Sequence, residues 1–338
     1  MADRAEWQEP GAYEVADGIY RIPLPLPMDG LRAVNVYAVT HGPAVTMIDA
    51  GWAVEESRIQ LEQSLKRIDL GLGDVDRFLV THVHRDHYTQ AVTVRREFGT
   101  RVSLGIGEKG SIDILNGGRP DGRAQLDLLR RFGAAEMVPE LTAAGYGGRI
   151  DPSVWEPPTD WIADGQELPV GDRALRAVHT PGHTRGHLVF ADLAHGLLFA
   201  GDHVLPHITP SIGFEAAPAE SPLADYLGSL AAVRAMPDLR LLPAHGPVTE
   251  SVHARVDELL AHHEDRLAES RAAVEAGAVT PYEAAKALGW TRRGRAFADL
   301  DAGNRMLAVC ETAAHLLVLA AQGRLRRSTV DGVEHFAA

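Results

Sequence analysis

The sequence predicts a layered α/β fold, α+β in its details, with a small, mostly helical C-terminal appendage. Two observations carry this. Short apolar runs of strand length alternate with amphipathic stretches of helix length through the first hundred residues, and from Ser251 onward the pattern is almost wholly helical. At 338 residues the chain exceeds one average domain. We therefore expect a main domain over residues 1–250, interrupted by an insertion over about 107–160, and a helical region over 251–338.

Residues 18–23 and 31–40 alternate or run apolar, with Pro, Asp and Gly between them, so the chain opens on a β-hairpin. Residues 44–48 form a third strand, which Asp49-Ala50-Gly51 closes with a carboxylate and a glycine able to turn sharply. Ile59, Leu61, Leu65 and Ile68 mark an amphipathic helix over 55–70. A strand at 75–80, a helix at 89–98 and a strand at 101–104 complete a β-α-β-α-β order. The insertion then holds a helix over 124–132 and a segment broken by Gly and Pro that carries Tyr146 and Trp155, with Trp161 just beyond. Such a segment between motifs is expected to cap a pocket. Asp164-Gly165 and Val170-Gly171-Asp172-Arg173 read as turns between short strands, and 188–191, 197–200 and 239–243 as further strands. A long amphipathic helix over 251–276 stops at Gly277, and Thr280-Pro281 starts another. Residues 304–321 and the tail 324–336 finish a helix-helix-hairpin layout.

Composition narrows the chemistry. The net charge of -13 repels polyanions at long range, which weighs against nucleic acid and favours a small-molecule substrate. A single cysteine, Cys310, excludes a disulfide framework and a thiolate-rich zinc site, leaving imidazole and carboxylate as ligands. The polar, acidic first ten residues lack the pattern of a secretory signal and no apolar run looks membrane-spanning, so a cytoplasmic address without membrane attachment is expected.

Thr81-His82-Val83-His84-Arg85-Asp86-His87 packs four metal-capable side chains directly after the apolar run Phe78-Leu79-Val80. A strand that ends in such a cluster places ligands at the rim of a sheet. The device recurs at Thr180-Pro181-Gly182-His183, at Gly201-Asp202 and at Ala244-His245-Gly246. Any one of these alone is more often a core or surface residue; the repetition is the signal. Collected, they form one set of His82, His84 and His183 and another of Asp86, His87 and His245, with Asp202 free to bridge. Each set leaves a position open for water, as a catalytic site requires. Two divalent ions about 3.5 Å apart could share a hydroxide that attacks a carbonyl or phosphoryl group. Asp86 is the residue expected to orient that hydroxide, or to pass a proton to the leaving group.

These motifs, preceded by Ile48-Asp49-Ala50-Gly51, resemble the metallo-β-lactamase superfamily in order and spacing over residues 15–265. The resemblance implies a four-layer αββα sandwich with two ions, usually zinc although iron or manganese would also serve, at one sheet edge. It implies that Asp49 steadies the ligand loop from behind, with His187 similar or structural. The absence of a ligand cysteine and the presence of Asp202 resemble the glyoxalase-II-type, lactonase and nuclease branches. The winged-helix-like tail is similar to that of the β-lactamase-like protein 2 group. The implied activity is hydrolysis of a small acyl compound such as a thioester, lactone or ester.

Two alternatives stay open. A phosphodiesterase or ribonuclease is suggested by the tail and by the clusters Arg292-Arg293-Gly294-Arg295 and Arg324-Leu325-Arg326-Arg327, although Asp299, Asp301 and Asp331 dilute them. A β-lactamase-like or non-hydrolytic iron enzyme is the other; a mononuclear iron site would need fewer ligands. Tyr88, Arg185, His207 and Tyr226 are the expected pocket residues, His203 is expected to point away, and the C-terminal helices could pair two copies as a homodimer.

Overall fold

The computed structural model describes residues 6–27, 30–119, 122–291 and 294–338. Strands rich in β-branched and aromatic residues build two sheets. The first runs β1 (Tyr13–Ala16), β2 (Ile19–Pro25), β3 (Ala33–His41), β4 (Ala44–Ile48), β5 (Val75–Val80), β6 (Arg101–Gly105) and β7 (Asp160–Ile162) in that order. It is antiparallel up to β4 and parallel beyond, because helices α1 (Glu55–Lys66) and α2 (Arg85–Phe98) supply the crossovers. The second sheet comprises β8 (Glu167–Val170), β9 (Arg173–His179), β10 (Leu188–Asp192), β11 (Leu197–Gly201) and β12 (Arg240–Pro243), with α6 (Pro222–Arg234) crossing from β11 to the parallel β12.

The sheets face each other across Tyr37, Leu79, Phe190, Phe199 and Leu242, all buried, with the Tyr37 and Phe199 rings edge-on at 5.4 Å. The outer face of the first sheet packs on α1 and α2 through Leu61, Leu65, Val92 and Phe78. The outer face of the second packs on α6 and on α7 (Val252–Glu275) through Leu198, Leu241, Leu230 and Leu259. The layer order is therefore αββα, and the expected fold class holds.

The insertion contributes α3 (Lys109–Asn116), α4 (Arg123–Arg131) and α5 (Val138–Ala143). It joins the two outer layers: α3 packs beside Trp155 near α2, while α4 and α5 pack on α9 (Ala302–Ala321). Its aromatic residues are not placed as expected. Trp155 stacks on Tyr88 inside the α2 core, Trp161 packs against the same core, and Tyr146 packs against the core shared with α9. They support the insertion itself rather than a pocket wall.

The tail adds α8 (Pro281–Ala287), α9 and a hairpin of β13 (Arg326–Val330) and β14 (Val333–Ala337). The α8 start has the expected Thr280 cap, accepting from the Glu283 N–H, and the Glu283 side chain completes a capping box. Helix α9 is long and apolar enough, by length and composition, to cross a membrane, contrary to the expectation that no apolar run is. In the fold its apolar side, including Met306, Val309, Leu316 and Leu319, is buried in the core. Other boundaries shift modestly. Helix α1 stops at Lys66 because Asp69 takes a left-handed φ of 58°, and α2 begins at Arg85, so Asp86 and His87 lie in its first turn, where a carboxylate suits the helix dipole.

Candidate metal centre

The ends of β4, β5, β11 and β12 and the turn between β9 and β10 meet at one edge of the sandwich. Two glycines make the close approaches possible. Gly182, at φ 137°, lies so near α6 that a Cβ would stand 2.4 Å from that of Tyr226, and Gly201, at φ 50°, lets β11 end against Thr81 and His187.

The seven candidate ligands converge in two groups. His82 Nε2, His84 Nδ1 and His183 Nε2 are mutually 3.0, 3.0 and 3.2 Å apart. Ligands at about 2.0–2.1 Å around a tetrahedral ion would lie about 3.3 Å from one another, so these atoms already stand nearly at ligand spacing. In the second group Asp86 Oδ2 is 3.5 Å from both His87 Nε2 and His245 Nε2. Asp202 serves both: Oδ2 is 3.4 Å from His183, while Oδ1 is 3.4 Å from His245 and 3.7 Å from His87.

Buried His87 Nε2, His245 Nε2 and Asp202 Oδ1 have no hydrogen-bond partner among the described residues. Polar atoms rarely stay so when buried, and here they surround one point, so the donor set fits a cation.

The opposite ring nitrogens are all tied down, which selects the tautomer each imidazole presents. His84 Nε2 donates to the Phe214 carbonyl at 2.5 Å, His183 Nδ1 to the Ser211 carbonyl at 2.7 Å and His245 Nδ1 to the Ala33 carbonyl at 2.8 Å. His87 Nδ1 donates to Asp49 at 2.8 Å, and His82 Nδ1 meets the Thr81 hydroxyl, which itself donates to Asp49. Asp49 also accepts the Thr81 N–H at 2.8 Å and takes a left-handed φ of 60° to do so. His187 stands behind the site, its Nε2 accepting the Asp202 N–H at 3.2 Å while Nδ1 donates to Thr180. It therefore holds Asp202 in place.

The electrostatics divide the same way. Burial and neighbouring imidazoles hold His82 far below the ordinary histidine value, burial and His84 bring His183 down to about 4, and burial lowers His84. In the second group burial is outweighed by carboxylates: Asp86, Asp49 and Asp202 raise His87 to about 10, and Asp202 and Asp86 raise His245. Burial opposes ionisation of Asp86 and Asp202, but the imidazoles around them hold both low. The first group thus offers neutral nitrogens ready for a metal, and the second offers anionic oxygen.

Of the expected pocket residues, two are core residues instead. Tyr88 is fully buried and donates to the Glu156 carbonyl at 2.5 Å; Tyr226 is fully buried and donates to the His203 carbonyl at 2.9 Å. Arg185 lies on the surface, donating to the Pro218 carbonyl, and exposed His207 stands at the rim beside Gly246. His203 turns into the interior, as expected, against the Tyr226 ring. Of the two basic clusters, Arg292 and Arg293 lie outside the described residues. Arg324 pairs with Glu264 and Arg327 with Glu334.

Sequence reasoning missed Glu108. Its buried carboxyl accepts from the Val83 N–H at 3.4 Å and the Thr184 hydroxyl at 2.5 Å, linking the two ligand loops. Glu215, also buried, accepts from the Arg185 N–H and the Ser111 hydroxyl close by. A carboxylate in an insertion without periodic pattern gives no sequence signal that it will be buried.

A family model described as Metallo-beta-lactamase superfamily matches residues 29–245. The protein named "Probable metallo-hydrolase YqjP" of Bacillus subtilis (strain 168) is 25% identical over 314 residues, which cover 89% of this chain and 91% of that one. The atrochrysone carboxyl ACP thioesterase of Aspergillus fumigatus is 29% identical over 272 residues, covering 78% of this chain but only 51% of that protein. A metallo-beta-lactamase family protein from Thermus thermophilus is similar in structure, with a TM-score of 0.77 at 28% identity over 96% of this chain and 99% of that one.

Proposed function

The chain belongs to the metallo-β-lactamase superfamily and is a metallo-hydrolase, and from that premise we propose that it cleaves the thioester of a small acyl substrate at a two-ion centre. The observation that carries this reading is the pair of three-residue groups that share Asp202, one carboxylate oxygen turned to each. His82, His84 and His183 would hold one ion, Asp86, His87 and His245 the other, and zinc suits such imidazole and carboxylate ligands. When bound, the pair would acidify water and polarise a carbonyl oxygen.

The chain's own groups do the positioning. Asp86 is the more accessible of the two carboxylates, its side chain 15% exposed against 8% for Asp202, so its free edge is available to orient an attacking water. Held ionised by the surrounding imidazoles, Asp86 orients better than it stores a proton. That favours a leaving group needing no proton. A thiolate, whose acid has a pKa of about 8.5, departs more readily than an alkoxide, which supports a thioester over a simple ester. The relative that carries a thioesterase name supports the same choice. The tail, two helices followed by a hairpin, supports the winged-helix-like resemblance, which makes nucleic acid the competing substrate.

The zinc-loaded protein is expected to hydrolyse chromogenic thioesters and to leave bis-aryl phosphodiesters and labelled RNA intact; the opposite preference would overturn the reading. Asp202→Ala, which removes the shared oxygen pair, is expected to cost more than about 100-fold in kcat/KM and to lower bound zinc from two equivalents. Full activity with two zinc retained would exclude a shared ligand.

A further inference from the structure

The loop over residues 209–214 has two faces. On one, the Ser211 and Phe214 carbonyls orient His183 and His84. On the other, the same residues wall a cavity of about 270 Å³, closed opposite by Trp290 and by Asn304 and Leu307 of α9. Phe214 belongs to both sides, its ring edge-on to His84 at 6.3 Å between centroids. The C-terminal tail therefore builds a chamber one loop away from the metal centre.

Its size and lining restrict what can enter. Small-molecule sites run from about 300 to 1,000 Å³, so this volume accepts an arm of a substrate rather than a whole one. The lining mixes apolar Phe214, Trp290 and Leu307 with polar Thr209, Gln125 and Asn304, which suits a neutral chain that combines methylene or methyl groups with amides. Of the two acids at the wall, Asp301 is already satisfied by the Asn304 N–H and side-chain amide at 2.9 and 2.6 Å, and burial raises Glu311 toward its neutral form. At the outer end stands exposed Arg295, held by paired backbone hydrogen bonds to Trp290. Arg295 and Phe214 both line the cavity, and Phe214 is the lining residue whose ring meets His84 of the metal centre.

We infer that this chamber binds the amide-bearing thiol arm of a pantetheine-type thioester, so that the substrate's acyl carbonyl lies at the metal centre while its arm runs past Phe214 toward Arg295. This deepens the thioesterase reading and rests on it. The shared chemistry is the two-amide arm, whether it comes on a free cofactor or on a carrier protein. The tail is then part of substrate selection, which explains why it is packed against the ligand loop.

Cys310, the only cysteine, also lines the chamber and reports on it without turnover. Burial pushes its thiol up to about 12, which slows its alkylation by a neutral maleimide. With the full-length, zinc-loaded protein, an N-alkyl pantothenamide, which carries both amides and no thiol, is expected to slow labelling at least fivefold in a saturable manner. Leu307→Trp on the α9 wall and Thr209→Trp on the loop wall, each verified by its circular dichroism and melting temperature, are expected to abolish that protection. They should also lower the ratio of kcat/KM for acetyl-pantetheine over ethyl thioacetate by tenfold or more. Acetyl-coenzyme A and an acetylated carrier protein, run beside them, show which source is preferred. No protection in the wild type, or equal protection in both variants, would overturn the chamber assignment. Saturable, variant-sensitive protection in a protein that hydrolyses neither thioester would support the chamber and overturn the thioesterase reading instead.

Discussion

Glu108 shows how much a single buried group can set. Its carboxyl touches the Val83 N–H and the Thr184 hydroxyl, each one residue from a candidate ligand, and Glu215 crowds it with a second carboxyl. Burial, then the Glu215 charge, raises Glu108 to about 8, and burial raises Glu215 to about 7. Unfolded, both would titrate near 4.3. Between those values the folded chain binds more protons than the unfolded one, so stability falls as pH rises. The contribution is fully present below about pH 4 and is lost as pH climbs through 7 to 8. Glu108→Gln mimics the neutral acid and should remove part of that slope. Melting curves of the two proteins at fixed zinc are expected to coincide near pH 5 and to separate by pH 8.5, with the variant more stable; parallel curves would show that Glu108 is ionised throughout. The same position explains why these particular supporting groups escaped the sequence, while Asp49 and His187 did not. His82, His84, Asp86 and His87 announce themselves by following an apolar strand, whereas Glu108 and Thr184 look like ordinary polar residues until the fold buries them.

At the scale of elements, what was legible depended on whether the wet side of an element is polar. Helix α7, with Val256, Leu259, His263 and Leu267 on its buried face, reads clearly from the sequence. Helix α6 does not: its buried face of Leu223, Tyr226, Leu230 and Val233 is opposed by an exposed face made largely of Ala224, Gly228, Ala231 and Ala232, so little apolar-to-polar contrast marks the 3.6-residue period. The short β1 and β7 edges were also below the threshold of pattern. The terminal hairpin was legible as an element, but not its anchor. Glu334 on β14 is 1% exposed and accepts from Arg327 Nε at 2.6 Å and Arg131 Nε of α4 at 2.8 Å. The Arg327 bond, reinforced by Arg131, holds Glu334 down at about 2. With both arginines a third to a half exposed, solvent screens much of this, so Glu334→Gln is expected to cost only about 1–3 kcal/mol. A lowered carboxylate stabilises above its unfolded value near 4.3 and ceases to as pH falls through about 2. The variant should therefore melt below the wild type at pH 7, and the gap should narrow toward pH 3. Hydrogen exchange should quicken in the hairpin first; unchanged exchange there would mean that strand pairing, not the ion pair, holds it.

For the whole molecule, the question is whether the region after residue 250 is an attachment or part of the body. Its sequence looks separate, being helical where the rest is mixed, yet the packing is continuous: Leu198 and Leu241 of the second sheet, Leu129 of α4, Leu230 of α6, Leu259 of α7 and Val309, Leu316 and Leu319 of α9 belong to one apolar core. Elements that share a core unfold together, since neither side keeps its apolar surface dry alone. Deleting residues 277–338 would strip α8, α9 and the hairpin from that core and would open the wall of the chamber behind the 209–214 loop, whose carbonyls orient His84 and His183. Two effects are then expected together. The shortened protein should bind a hydrophobic dye and lose its sharp melting transition, and the zinc it retains should dissociate at chelator concentrations that leave the full chain loaded. A fragment that stayed dye-free and cooperative would show that the tail folds apart from the body. If such a fragment also kept its zinc, the coupling between tail and metal centre would fail with it, because the loop would be holding its imidazoles without anything behind it.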